Sequence, residues 1–188
     1  MEDLNVLFQE TIWAGTDQSL EIAKKAYAAL MSSLMAGSFS QLGDKPAPEA
    51  DVPYMLDIQG DIGVINVSGP LVNRDSPWLK YYGISSYADI QRALVYASSD
   101  QNVKAILLNI ESGGGAVSGV DDTANLIASI DKGLKPVYAF TGGMMASAAY
   151  WLGCTAREVY SSNISTVGSI GVIATHMEYS KQLKDEGV

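Results

Sequence analysis

Apolar positions between residues 54 and 174 switch repeatedly between two periods. Short β-branched or apolar runs at 54–58, 62–67, 103–110, 137–140, 159–160 and 170–174 predict strands. Between them, Ile90, Leu94 and Val95 fall on one face of a predicted helix over 87–98, and a second helix is predicted over 117–130. A third is predicted to begin within 147–153, directly after small residues. Strand followed by helix, repeated, predicts an α/β fold with right-handed crossovers between parallel strands. The stretch 76–86, with Trp78, Tyr81 and Tyr82, has neither period and is read as irregular.

The pattern changes near residue 50. Leu20, Ala23, Tyr27, Leu30, Met31 and Leu34 recur at helical spacing, with Asp17 or Ser19 available to cap the start and Gly37 to end it. Residues 38–53 then carry Gly, Ser, acids and the prolines Pro46, Pro48 and Pro53, as a linker does. The expected organisation is a helical extension with linker over 1–50 and a core over 51–188. The extension packs on its own core, swaps onto a neighbour, or serves as an assembly arm.

Composition narrows the partners. In 188 residues, 47% are hydrophobic and 18% charged, so the chain buries a sizeable core and is not a disordered one. A net charge of −9 argues against nucleic acid, which wants a basic face. No apolar run approaches the about 20 residues of a membrane span, and Met1-Glu2-Asp3 carries acid where a secretory leader carries base. A cytoplasmic protein without a membrane partner is expected. The single cysteine, Cys154, excludes an internal disulfide and is read as a buried structural thiol. One His and one Cys do not make a metal site, and neither a metal nor another cofactor is expected.

Candidate chemistry lies at two turns. Gly113-Gly114-Gly115 follows one predicted strand, and Met145-Ala146-Ser147-Ala148-Ala149-Tyr150-Trp151 follows the next. Glycine-rich backbone supplies N–H donors to an oxyanion, and a serine at a helix start supplies a nucleophile. A plain tight turn and an N-capping serine are the competing readings. A dinucleotide fingerprint is disfavoured, because Gly113, Gly115 and Gly119 are spaced one residue too widely.

The segment 111–119, Glu-Ser-Gly-Gly-Gly-Ala-Val-Ser-Gly, resembles the D-S/T-P-G-G-x-V-x-G segment of signal peptide peptidase A and its phage relatives. Residues 145–151 are similar to that family's A-A-S-G-G-Y-W turn, and 166–172 to its T-x-G-S-I-G-V block. Together with 176–188, the likeness is to the phage branch, the lambda-type capsid maturation proteases. The resemblance implies a Clp-protease/crotonase-like spiral of βα units and a serine–lysine dyad. It makes Ser147 the nucleophile, Gly115 (with Gly114 beside it) and Ala148 the oxyanion donors, and Ser169 the residue that orients the lysine amine. Gly113 stands where the family usually has proline, and Ala148-Ala149 where it has two glycines, whose added methyls would narrow the pocket.

The family's lysine falls a short way beyond Val188, so the chain is expected to lack its base and to be essentially inactive by itself. Lys181 and Lys184 read as solvated charges on an amphipathic helix, and His176 is the base of an alternative serine–histidine arrangement. The implied activity is a serine endopeptidase acting on scaffold- or portal-type proteins in an assembling phage head, as a homo-oligomer. A non-catalytic assembly module on the same fold, and an acyl-CoA enzyme, are the alternatives; for the latter no catalytic carboxylates can be assigned.

Overall fold

The computed structural model describes residues 13–15 (as backbone), 52–173, 184 and 187. The predicted helix over 19–34, together with His176 and Lys181, lies outside the described residues.

A five-stranded sheet forms the centre. In chain order its members are β2 (Leu56–Gln59), β3 (Ile62–Ser68), β6 (Ala105–Glu111), β8 (Val137–Thr141) and β10 (Glu158–Ser161). The spatial order is β10-β8-β6-β3-β2, parallel throughout except for the β2–β3 hairpin. Each crossover carries a helix: α1 (Tyr87–Ser99), α2 (Val120–Gly133) and α3 (Ala148–Gly153).

Each long strand is also followed by a short one: β4 (Leu71–Val72), β7 (Gly114–Ala116), β9 (Met144–Ala146) and β11 (Thr166–Gly168). With β1 (Trp13–Gly15) and β5 (Ser85–Ser86) they form two small sheets, ordered β1-β7-β4-β5 and β11-β9. A parallel bridge, Ser112 to Met145, lies between β7 and β9. The expected α/β spiral is present, but its unit is strand–short strand–helix rather than strand–helix. Of the glycine run read as a turn, Gly114 and Gly115 are in a strand.

Burial follows the periods. On β6, Ile106, Leu108 and Ile110 alternate with less buried positions and pack with Ile90, Leu94, Ile127 and Leu152 of the helices. Each such aliphatic side chain contributes roughly 1.5–3 kcal/mol by leaving water. The other face of the sheet is more open, with an Asn109–Asn66 side-chain hydrogen bond of 2.8 Å across neighbouring strands. Helix α1 is capped by Ser86, whose Oγ accepts from the Asp89 N–H at 3.2 Å. The Tyr87 hydroxyl, buried against α2 and β7, donates to the Ala116 carbonyl at 2.6 Å and ties α1 to the glycine strand.

Two expectations are corrected. Within the predicted strand over 170–174, Ile170–Val172 are not in a strand, Ile173 is in a β-bridge and Ala174 lies outside the described residues; the strand here is Thr166–Gly168, and positive φ at Gly168 (122°) and Ser169 (54°) turns the chain before Ile170. The stretch 76–86 is not wholly irregular: Leu79–Tyr82 is a 3-10 helix closed by left-handed Gly83. Trp78 and Tyr81 stack obliquely there, their ring centroids 6.0 Å apart.

Two glycines separate close approach from mere flexibility. A Cβ on Gly115 would lie 1.9 Å from the Leu71 carbonyl oxygen, whereas one on Gly133, at the end of α2, would meet nothing within 4 Å. Gly115→Ala is expected to cost about 3 kcal/mol or more, since backbone cannot step aside. Gly133→Ala is expected to gain about 0.5–1 kcal/mol through helix propensity and a less free unfolded chain. Urea denaturation of the two variants beside the parent checks both signs.

Candidate active site

Ser147 stands between β9 and α3. Strand β9 is held from both sides. It pairs in parallel with β11, and Ser112 bonds it from the glycine segment through Ser112 N–H to Met144 O (2.8 Å) and Ala146 N–H to Ser112 O (3.0 Å). The ladder with β11 runs one residue further, the Ser147 N–H donating to the Gly168 carbonyl at 2.7 Å. One residue later the helix begins, with Trp151 N–H donating to Ser147 O at 2.9 Å. At this junction of strand and helix Ser147 has φ 54°, ψ −120°. A side chain is rarely found in that region, and holding one there costs of order 1–3 kcal/mol. A strained strand-to-helix turn of this kind also carries the serine of nucleophile elbows.

The serine is only 8% exposed, and its Oγ donates to the Gly171 carbonyl at 3.3 Å. It opens onto a cavity of about 390 Å³ bounded by Ala148, Tyr150, Trp151, Cys154, Ile170, Gly171 and Val172. The lining is almost wholly apolar, as a cleft for an uncharged side chain would be. Ala148, itself fully buried, is among the residues that line this space. Ala149 is fully buried and does not line it.

Cys154 is exposed and on the cavity wall, not buried in the core as expected. Partial desolvation pushes its thiol pKa up, which keeps it protonated at neutral pH and unsuited to act as the nucleophile.

Ser112, not singled out from the sequence, fastens the glycine strand. Its Oγ donates to Gly69 O at 2.6 Å and accepts the Gly114 N–H at 3.1 Å. The Gly114 N–H is therefore engaged. Gly114 and Gly115 are buried in β7, against α3. Ser169 follows the carbonyl that holds Ser147 and is exposed. Hydrogen bonds to small polar side chains in a Gly-rich turn leave no periodic trace, so only the motif resemblance pointed here.

Of the described lysines, none is recorded in a bond to Ser147. Lys135 donates to the Ala97 carbonyl at 2.9 Å and to the Asp100 carbonyl, Lys104 pairs with Asp61 at 3.4 Å, and Lys184 is exposed. Among the described residues no group of three or more His, Cys, Asp or Glu is placed to hold a metal, and no helix is long and apolar enough to cross a membrane.

The architecture defines an α/β spiral with a strained serine at a strand-to-helix turn beside an apolar cleft. Residues 130–188 match the model of peptidase family S49. The chain is 35% identical over 146 residues to capsid assembly protease C of Escherichia phage lambda, covering 78% of this chain and 33% of that protein. It is 34% identical over 127 residues to head-tail preconnector protein GP5 of Enterobacteria phage P21, covering 68% and 25%. The chain thus spans a third or less of the length of these relatives. Among solved structures, an enoyl-CoA hydratase from Mycobacterium avium subsp. paratuberculosis K-10 is similar at TM-score 0.46 and 17% identity, over 64% of this chain and 47% of that one.

Glycine relieves a positive φ where alanine does not. Ser147→Gly is expected to be more stable than Ser147→Ala by roughly 1–2 kcal/mol, which is within the cost of the strain. Paired denaturant titrations measure the difference; equal stabilities would mean that the backbone at 147 relaxes once the serine is gone.

Proposed function

We propose that this chain is the core of a serine endopeptidase that cuts scaffold- or portal-type proteins during phage head assembly in the host cytoplasm, working as a homo-oligomer. The observation that carries the reading is the strained Ser147 turn, with its hydroxyl facing an apolar cavity. Similarity to the capsid assembly protease of phage lambda supports the substrate class.

In the proposed reaction the Ser147 hydroxyl loses its proton to a base as Oγ bonds to the scissile carbonyl carbon. The carbonyl oxygen becomes an oxyanion, held by the N–H groups of Gly115 and Ala148. Collapse breaks the C–N bond, the base returns its proton to the leaving amine, and water then hydrolyses the ester and frees Ser147. The substrate lies extended along the glycine strand, which offers backbone without side chains at two positions.

The base is proposed to be a lysine outside the described residues, kept neutral by burial and oriented by Ser169. His176 is the second candidate.

The test is cleavage of an unfolded protein by the chain extended through the family's lysine. Ser147→Ala is expected to lower the rate by about 10³-fold or more. Cleavage that survives Ser147→Ala would overturn the assignment, and cleavage that survives loss of the lysine but not His176→Ala would move the base to the histidine.

A further inference from the structure

Strand β7 has two edges, and both are taken. Leu71 of β4 pairs with Gly115 in parallel on one side. On the other, β1 runs antiparallel, with Trp13 opposite Ala116, Ala14 opposite Gly115 and Gly15 opposite Gly114. Helix α3, which starts just after Ser147, packs against both β7 and β1. The β4 edge is fixed by the core: Leu71 is fully buried, and its carbonyl fits against Gly115 only because no Cβ is present. The β1 edge is different in kind. Its strand is three residues long, is the last in its sheet among the described residues, and comes from a part of the chain separated from the core by residues 16–51.

We propose that Trp13–Gly15 is an internal occupant of the peptide-binding edge of this protein: an extended peptide engages β7 antiparallel, in the register of residues 13–15, and must displace β1 to do so. The inference rests on the reading of Ser147 as nucleophile and of β7 as the strand along which substrate lies. It adds which edge is used, in which direction, and what competes for it.

The physics is that of an added strand. Main-chain pairing supplies the attraction whatever the sequence, so a segment of the same chain and a segment of substrate are interchangeable there. The tethered segment has the advantage of an effective concentration on the order of mM. Three ladder residues make it displaceable. The edge is thereby kept from pairing with other extended chains until a longer or better-matched peptide arrives.

The test is binding of a fluorescent peptide copying residues 10–18, measured by anisotropy on the full chain and independent of any cleavage. Ala14→Pro removes a backbone N–H and constrains the middle of β1. It is expected to raise the peptide's affinity about tenfold or more, the local-concentration advantage being lost. In a second variant, Trp13→Cys and Ala116→Cys with Cys154→Ser, directly opposite residues are joined by a disulfide. Oxidised, it should bind no peptide; reduced, it should bind as the parent does, within one and the same protein. Equal binding by parent, Ala14→Pro and the oxidised form, or binding by none of them, would overturn the proposal. Loss of the Ser147 dependence of cleavage with this binding pattern intact would sink the nucleophile assignment and leave the occupied edge standing.

Discussion

The close approach of Gly115 to the Leu71 backbone is the constraint on which the site rests. A Cβ at 115 would overlap the Leu71 carbonyl oxygen, so only glycine lets β4 and β7 lie side by side as the short layer of the spiral. Ser112, two residues before β7, links that layer onward through its bonds with Met144 and Ala146. The same side of β9 ends at Ser147. Displacing β7 would therefore release the strand that carries the serine, and the strain at Ser147 would lose the bonds that enforce it.

Strain at Ser147 has a clear division of labour. The parallel ladder to β11 pulls its N–H toward Gly168, while α3 takes its carbonyl. The surroundings that hold this geometry are apolar and buried, with Ala146, Ala148 and Ala149 at or near zero exposure. Small side chains are needed here for packing as much as for access, which gives the alanine-rich sequence a structural reason beside the chemical one.

The long strands and helices were legible because their hydrophobic periods run over several residues and bury one face. Ile106, Leu108 and Ile110 show this on β6, as do Ile90 and Leu94 on α1. The short strands were not, since two or three residues carry no period. Gly113–Gly115 read as a turn for its composition, and the pairing of Gly114–Ala116 with both Leu71 and residues 13–15 is long-range. The run at 170–174 looked like a strand by residue type, yet Gly168 and Ser169 turn the backbone first, and only Ile173 of its described residues is in a β-bridge. Ser147 was legible only through the likeness of three ordered motifs. Cys154 was misread, because one thiol in an apolar segment gives no sign that its helix face borders a cavity.

The central claim is that Ser147 is an activatable nucleophile. A fluorophosphonate reagent, followed by proteolysis and mass spectrometry, locates the covalent phosphonyl group on a particular residue. In the protein bearing its base, one adduct on Ser147 is the expected result, absent from Ser147→Ala. An adduct on another serine, or none while extended peptides are still cleaved, would contradict the account.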